Sequence, residues 1–155
     1  MGFLTPTERT HFIQFLTGMG IIIAFVFVPL YLYQLGASLT EISFVAAGFA
    51  ILQFLATFVA GRLADLTYRT RLISLGLVTS GATFILLGIS TSLSSVALAR
   101  VLSGITLGIY PAALAALAYE TQHDLMGRFA SFRSLGWAVG AIVGGVIADI
   151  FGYAS

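Results

Sequence analysis

The sequence predicts an all-α membrane protein, a polytopic bundle of helices, from three observations. Hydrophobic residues make up 59% of the 155 residues and charged residues only 8%, whereas soluble domains carry roughly 25% charged residues. The apolar residues form five continuous runs, each about as long as the roughly 20 residues that a spanning helix needs. None of the runs alternates with period two, which argues against the strands of a membrane barrel.

The five predicted spans are joined by short connections. They cover residues 12–34, 42–61, 72–91, 96–119 and 132–151. Ser38 precedes Glu41 by three residues, a capping-box pattern that predicts the start of the second helix. The segment from Thr5 to Glu8 has the same form with Pro6 at the first helical position, so a short helical lead-in is predicted there. Short connections predict that consecutive helices run antiparallel.

Arginine placement predicts the orientation in the membrane. Basic residues lie before the first span or near the connections after the second and fourth spans, at Arg9, Arg62, Arg69, Arg71, Arg128 and Arg133. The other two connections carry none, so the positive-inside rule places the N-terminus in the cytoplasm of a cell-membrane, multi-pass protein. The sequence stops directly after the fifth span. We therefore expect a bundle truncated after its fifth helix, as a fragment of a longer polypeptide.

Several kinds of chemistry have no support in the sequence. There are no cysteines, and no span carries a metal-ligand cluster, a paired carboxylate or a Ser/His/Asp set. We therefore predict that the chain is not an enzyme and holds no cofactor or metal. No basic tract is present, so a nucleic-acid partner is not predicted either. The lipid bilayer is the expected partner.

One charge, Arg100, lies well inside a predicted span, about five residues into the fourth helix. Gly104 and Gly108 follow it at intervals of four, so the three residues share one helix face. Glycines on that face would allow another helix to approach closely. Arg100 is either a cation facing a water-filled pathway or a buried partner, or a side chain that extends outward to the headgroups.

The fifth helix carries a ridge of small residues. Gly136, Gly140 and Gly144 recur every four residues, with Gly145 beside them. Such spacing predicts close helix packing. In a transporter the same ridge could also be a sliding surface, and the two interpretations are compatible.

Uncharged polar residues at membrane depth are candidate pathway residues. Gln14 and Thr17 belong to the first span and Tyr110 to the fourth. They could contact a substrate, or they could bond to neighbouring backbone and helices, which is the commoner use of such residues.

The connection between the second and third spans places one acid among arginines. Asp65 lies one turn beyond Gly61, and Arg69 and Arg71 follow. The acid can make charge-assisted bonds or sit at the N-terminus of another helix. Alternatively, the loop is solvated and its arginines only set the topology.

This loop resembles the signature of the major facilitator superfamily, Gly-x-x-x-Asp-basic-x-Gly-basic-basic between the second and third helices. Gly61, Asp65 and Arg69 match it, and Arg71 lies one residue after a basic position of the pattern. Departures from the pattern fall at Leu66, Tyr68 and Thr70. The resemblance implies a cytoplasmic latch that holds the outward-open state, with Glu120 as its second acid.

The fourth and fifth helices extend the resemblance. Family members often carry an arginine followed by glycines in the fourth helix, as at Arg100, Gly104 and Gly108. The fifth helix is similar to the Gly-x-x-x-Gly-Pro-x-x-Gly-Gly of drug antiporters, with Ala141 in place of the proline.

The resemblance implies a secondary transporter of a small solute that works by alternating access between two six-helix lobes. The chain would supply five helices of the N-terminal lobe. Its first and fourth helices would line the cavity, and its second and fifth would face the opposite lobe. Expected partners are the small-molecule substrate and the missing C-terminal lobe or a second copy. The alternative is a non-transporting membrane scaffold or receptor with the same fold, which substrate flux would distinguish.

Overall fold

The computed structural model describes residues 6–66, 69–122 and 126–150. Its account of side chains covers the same ranges except residues 6, 7, 66, 118, 120–122 and 126. The described residues form five helices, α1 (Pro6–Gln34), α2 (Leu39–Leu66), α3 (Arg69–Ile89), α4 (Leu93–Gln122) and α5 (Met126–Ile150). No strand occurs within these ranges.

All five helices are long and apolar enough to cross a membrane. The stretches that meet this condition are Glu8–Gln34, Leu39–Asp65, Arg69–Ile89, Leu93–Leu117 and Gly127–Ile150. They confirm the predicted all-α, polytopic membrane fold. Each helix begins three or more residues before the corresponding predicted span, because the apolar runs leave out the polar first turn and its cap.

Local hydrogen bonds define the connection between α1 and α2. Gly36 has a φ of +88°, and its N–H donates to the carbonyl of Tyr33 while that of Ala37 donates to Leu32, both at 3.0 Å. This left-handed ending is a Schellman motif, which satisfies the last carbonyls of α1 and favours glycine. The capping box predicted for α2 is confirmed. The Ser38 N–H lies 2.8 Å from Glu41 Oε2, and the Glu41 N–H lies 3.2 Å from Ser38 Oγ.

A second reciprocal cap begins α4 and was not predicted. The Ser92 N–H donates to Ser95 Oγ at 3.2 Å, and the Ser95 N–H donates to Ser92 Oγ at 3.3 Å. Serine replaces the Glu or Gln of the usual capping box. The sequence pattern therefore did not identify it.

The chain divides into two compact units, of which the larger is Leu32–Leu117. Within it α4 contacts α3 at Gly76, where an added Cβ would lie 2.7 Å from Tyr110 Cβ. The hydroxyls of Thr83 and Thr106 lie 3.1 Å apart and join the same two helices through a hydrogen bond. Among the candidate spans, that of α4 is the most buried and that of α2 the least. α4 is thus the centre of this unit.

The other unit combines Met1–Tyr31 with Ala118–Ser155. Within it α5 packs on α1 through the glycine ridge. The hydrogen that Gly136 carries in place of Cβ points at the carbonyl of Phe15, and an added Cβ at Gly140 would lie 2.7 Å from the carbonyl of Met19. Gly18 of α1 makes the reciprocal contact, because a Cβ added there would lie 2.7 Å from the carbonyl of Arg133 on α5. We call these contacts the α1–α5 interface.

Large apolar side chains cover the outside of the helices. Phe44, Phe54 and Ile85 each expose about 70% of their surface, as do many others. A soluble protein rarely leaves so much contiguous apolar surface exposed. Such a surface suits lipid or further membrane helices.

Candidate functional site

Arg100 is a buried cation beneath an aromatic ring. The residue is 6% exposed, and its guanidinium carbon lies 4.0 Å from the ring centroid of Phe49 on α2. A cation on the face of an aromatic ring gains about 0.5–2 kcal/mol, most where water is excluded. Because the ring covers the guanidinium, the geometry favours a buried partner over extension to the headgroups.

Glycines bring α2 close enough for this contact. At Gly104 the hydrogen in the Cβ position points at the carbonyl of Phe49, and an added Cβ at Gly108 would lie 2.7 Å from the carbonyl of Gln53. The paired residue numbers rise together, so α2 and α4 run parallel. Backbone contacts this close require small residues and allow weak Cα–H···O bonds. We call Phe49, Gln53, Arg100, Gly104 and Gly108 the α2–α4 interface.

The α4 backbone is fixed locally around the arginine. The Ser103 hydroxyl, itself 1% exposed, donates to the Arg100 carbonyl at 2.6 Å. Serine and threonine hydroxyls commonly bond one turn back in this way. Ser103 is therefore packed one turn after Arg100, with its hydroxyl bonded to the Arg100 carbonyl.

Arg69 links the end of α2 to the start of α3. Its Nε donates to the carbonyl of Ala64 at 3.0 Å, so it satisfies a carbonyl in the last turn of α2. Its Nη2 lies 4.0 Å from Asp65 Oδ1. Arg69 thus caps α2 and lies near an acid of the same helix.

The Asp65 carboxylate remains open to other partners. Its side chain is 76% exposed, and an exposed pair at 4.0 Å contributes little free energy. No described atom lies within 4 Å of a Cβ added at Gly61, so that part of α2 also has room for a neighbour. Arg71 is exposed in the first turn of α3. Glu120 lies in α4, but its side chain is outside the described residues, so its place in the latch stays a prediction.

Three of the four candidate pathway residues are buried, and Thr17 is half-buried. Gln14 is 4% exposed and Tyr110 2%. The Thr17 hydroxyl donates to the carbonyl of Ile13 at 2.7 Å, and Tyr110 packs against Gly76. These contacts are those of helix packing, and the roles of Gln14, Thr17, Arg100 and Tyr110 in a pathway stay predictions.

The glycine ridge of α5 lies against α1. Gly136, Gly140 and Gly144 face α1, whereas the spacing had predicted close helix packing without a named partner. A role of the ridge as a sliding surface stays a prediction. Gly145 points elsewhere, with no described atom within 4 Å of an added Cβ. The spacing of the glycines shows that a helix approaches but does not identify which one.

His11 is a buried polar residue that the sequence analysis did not single out. It is 6% exposed and stacks on Phe132 of α5, with ring centroids 4.8 Å apart and an interplanar angle of 9°. Its Nε2 has no hydrogen-bond partner among the described residues. A position before the first apolar run gave no sign of burial.

These features define a polytopic membrane protein whose helices pack through glycines and which encloses one buried cation. No group of three metal-ligating side chains occurs in the part of the chain that the structure describes. The model of the Major Facilitator Superfamily matches residues 10–155. The chain belongs to the major facilitator superfamily, a family of multi-pass transporters.

Two curated proteins are similar to the chain. The chain is 30% identical over 152 residues to multidrug resistance protein 1 of Bacillus subtilis (strain 168), covering 95% of this chain and 38% of the relative. It is 27% identical over 143 residues to an uncharacterized MFS-type transporter of Methanocaldococcus jannaschii, covering 89% of this chain and 37% of the relative. The chain thus spans less than two fifths of the length of each relative.

Proposed function

We propose that the chain is part of a secondary transporter that moves a small solute by alternating access, with its N-terminus in the cytoplasm of a cell membrane. Family membership supports transport, and the arginine distribution supports the orientation. Because one relative is named for multidrug resistance, drugs of different structure and charge are the substrates to test first.

The inner end of α2 carries the proposal. Arg69 caps α2 at the Ala64 carbonyl and lies 4.0 Å from Asp65, while 76% of the Asp65 side chain stays exposed. An exposed carboxylate with a fixed backbone can bind the positive end of a helix dipole or a basic group on an opposing lobe. The open space at Gly61, one turn earlier, would let that lobe approach.

Such a contact would exist in one conformation of a transporter and break in the other. Alternating access is an equilibrium between inward- and outward-open states, and a bond made in only one of them shifts the populations. Asp65 would stabilise the state in which the inner ends of the lobes meet. A solute would shift the same equilibrium through unequal affinity for the two states.

Arg100 would act away from the inner end of α2, near the N-terminal end of α4. The close α2–α4 interface makes it part of a rigid pair of helices, so its charge would move with α2. A buried cation in a membrane is costly and is usually retained for function. We assign it to the recognition of an anionic group, on a substrate or on an opposing helix, in one of the two states.

The test is an Asp65→Asn variant of the full-length protein. Efflux of a panel of drugs, cationic such as ethidium as well as anionic, from membrane vesicles is compared with wild type at equal membrane abundance. We expect transport to fall about tenfold, since a charge-assisted bond is worth about 1.5–3 kcal/mol. Asp149→Asn is the matched control and should transport like wild type. Asp149 is also exposed, but it lies near the C-terminal end of α5, away from the α2–α3 connection.

Two results would contradict the proposal. Wild-type efflux by Asp65→Asn would show that the loop does not control the transport cycle. A wild-type protein that moves no solute across a broad panel would favour the scaffold or receptor instead.

A further inference from the structure

An apolar groove runs along the outside of the larger unit between α2 and α3, with α4 as its floor. Its volume is about 690 Å³. Leu52, Val59 and Leu63 line it from α2, Leu75 from α3 and Ile105 from α4. Arg71 is the charged residue among the groove-lining side chains.

The groove has the length of one membrane leaflet. Leu52 lies at the middle of α2 and Leu63 near its end, so the two are about 16 Å apart at a rise of 1.5 Å per residue. Half of a typical hydrocarbon core is about 15 Å. Ile105 lies at the middle of the α4 span, which sets the deep end of the groove at the bilayer midplane.

The shallow end of the groove is polar and positive. Arg71 and Leu75 also line a second depression, together with Thr70 and Ser74. The arginine thus borders both an apolar channel and a pair of exposed hydroxyls in the first turns of α3. Arginine and hydroxyl groups are donors suited to a phosphate, and the N-terminal end of a helix also favours an anion.

We propose that this groove binds one anionic phospholipid of the cytoplasmic leaflet. Its acyl chain lies between α2 and α3 over Ile105, and its phosphate is bound by Arg71 with Thr70 and Ser74. The charge of the site, its polar-to-apolar order and its one-leaflet length all match this occupant. A transmembrane helix of another protein would need an apolar groove along both leaflets, whereas this groove has the length of one. The assignment to the cytoplasmic leaflet rests on the proposed orientation, whereas the site itself does not depend on transport.

The test compares lipid retention by variants of the full-length protein in nanodiscs. Protein is reconstituted in equal amounts of phosphatidylglycerol and phosphatidylcholine, and bound lipid is counted by native mass spectrometry. We expect the wild type to retain phosphatidylglycerol preferentially. Arg71→Gln should lower that preference roughly fivefold, since one basic residue near an anionic lipid surface is worth about 1 kcal/mol.

Matched variants separate a site from a general surface effect. Arg62→Gln is the matched control. Arg62 is an exposed arginine next to Leu63, its guanidinium lies over Phe58, and it does not line the groove. This variant should keep the wild-type preference for phosphatidylglycerol. Leu75→Trp fills the groove and should reduce retention of both lipids. Thermal unfolding in detergent verifies that each variant is folded.

Location is tested with an introduced cysteine, since these 155 residues contain none; any cysteine elsewhere in the full-length protein is replaced by serine. A fluorophore on Val59→Cys should be quenched by brominated acyl chains of phosphatidylglycerol more than by those of phosphatidylcholine. Equal loss of preference in Arg71→Gln and Arg62→Gln would overturn the proposal. So would crosslinking of Val59→Cys to a second copy of the chain in place of lipid.

Discussion

Glycines spaced four residues apart form both the α2–α4 interface and the α1–α5 interface, yet they surround different chemistry. In both, a glycine hydrogen meets a backbone carbonyl of the neighbouring helix. Both also place an arginine over an aromatic ring. Arg100 is 6% exposed and lies 4.0 Å from the Phe49 centroid, whereas Arg133 is exposed and lies 5.8 Å from the Trp137 centroid.

The difference shows what the glycine spacing can and cannot indicate. Close backbone approach explains how two helices pack without large side chains, and that suffices for the α1–α5 interface. Close approach does not explain why a charge is enclosed in the α2–α4 interface. Burial of a cation costs free energy, and an apolar side chain would pack there without that cost. We therefore assign packing to the α1–α5 interface and a further function to the α2–α4 interface.

The largest effect is expected from a bulky residue in the α1–α5 interface. Gly140→Leu places a side chain where a Cβ alone would lie 2.7 Å from the Met19 carbonyl. The helices must separate, so we expect destabilisation by about 3 kcal/mol or more. The measurement is the fraction of protein that stays monodisperse in detergent as temperature rises.

Gly145→Leu is the control for this variant. No described atom lies within 4 Å of a Cβ added there, so its thermal profile should resemble that of the wild type. Equal losses for the two variants would mean that α5 tolerates no leucine at either face, and the assignment of packing to the ridge would fail.

A smaller effect is expected from one methyl group in the α2–α4 interface. Gly104→Ala directs its methyl at the Phe49 carbonyl, which moves α2 away and loosens the ring over Arg100. We expect a loss of about 1–3 kcal/mol, measured by thermal unfolding in detergent. Gly88→Ala is the control, because its added Cβ meets no described atom within 4 Å. A Gly104→Ala variant as stable as Gly88→Ala would show that the interface is looser than its geometry indicates.

Most of the fold could be predicted from the sequence because hydrophobic run length alone identifies a spanning helix. The Ser38–Glu41 cap was also predictable, since its residues are local. The Ser92–Ser95 cap was not, because serine pairs occur in many contexts.

The site was less predictable because its contacts join distant residues. Arg100 was identified as an isolated charge, but Phe49 was one of 13 phenylalanines with no local feature to mark it. The partners of the glycines depend on which helices pack together, and periodicity on one helix carries no information about that. For the same reason the spacing of the α5 ridge predicted close packing but did not identify α1 as its partner.

The difference assigned to the two interfaces, packing for α1–α5 and a further function for α2–α4, is tested most directly by two variants. Arg100→Gln is compared with Arg133→Gln in the full-length protein. Thermal unfolding and solute efflux are measured on the same preparations. We expect Arg100→Gln to stay folded, with a smaller loss of stability than Gly140→Leu, and to lose roughly tenfold or more of its transport, while Arg133→Gln keeps transport near wild type. Equal transport by the two variants would contradict a functional role for the buried cation, and an Arg100→Gln variant that unfolds like Gly140→Leu would reduce Arg100 to a packing residue.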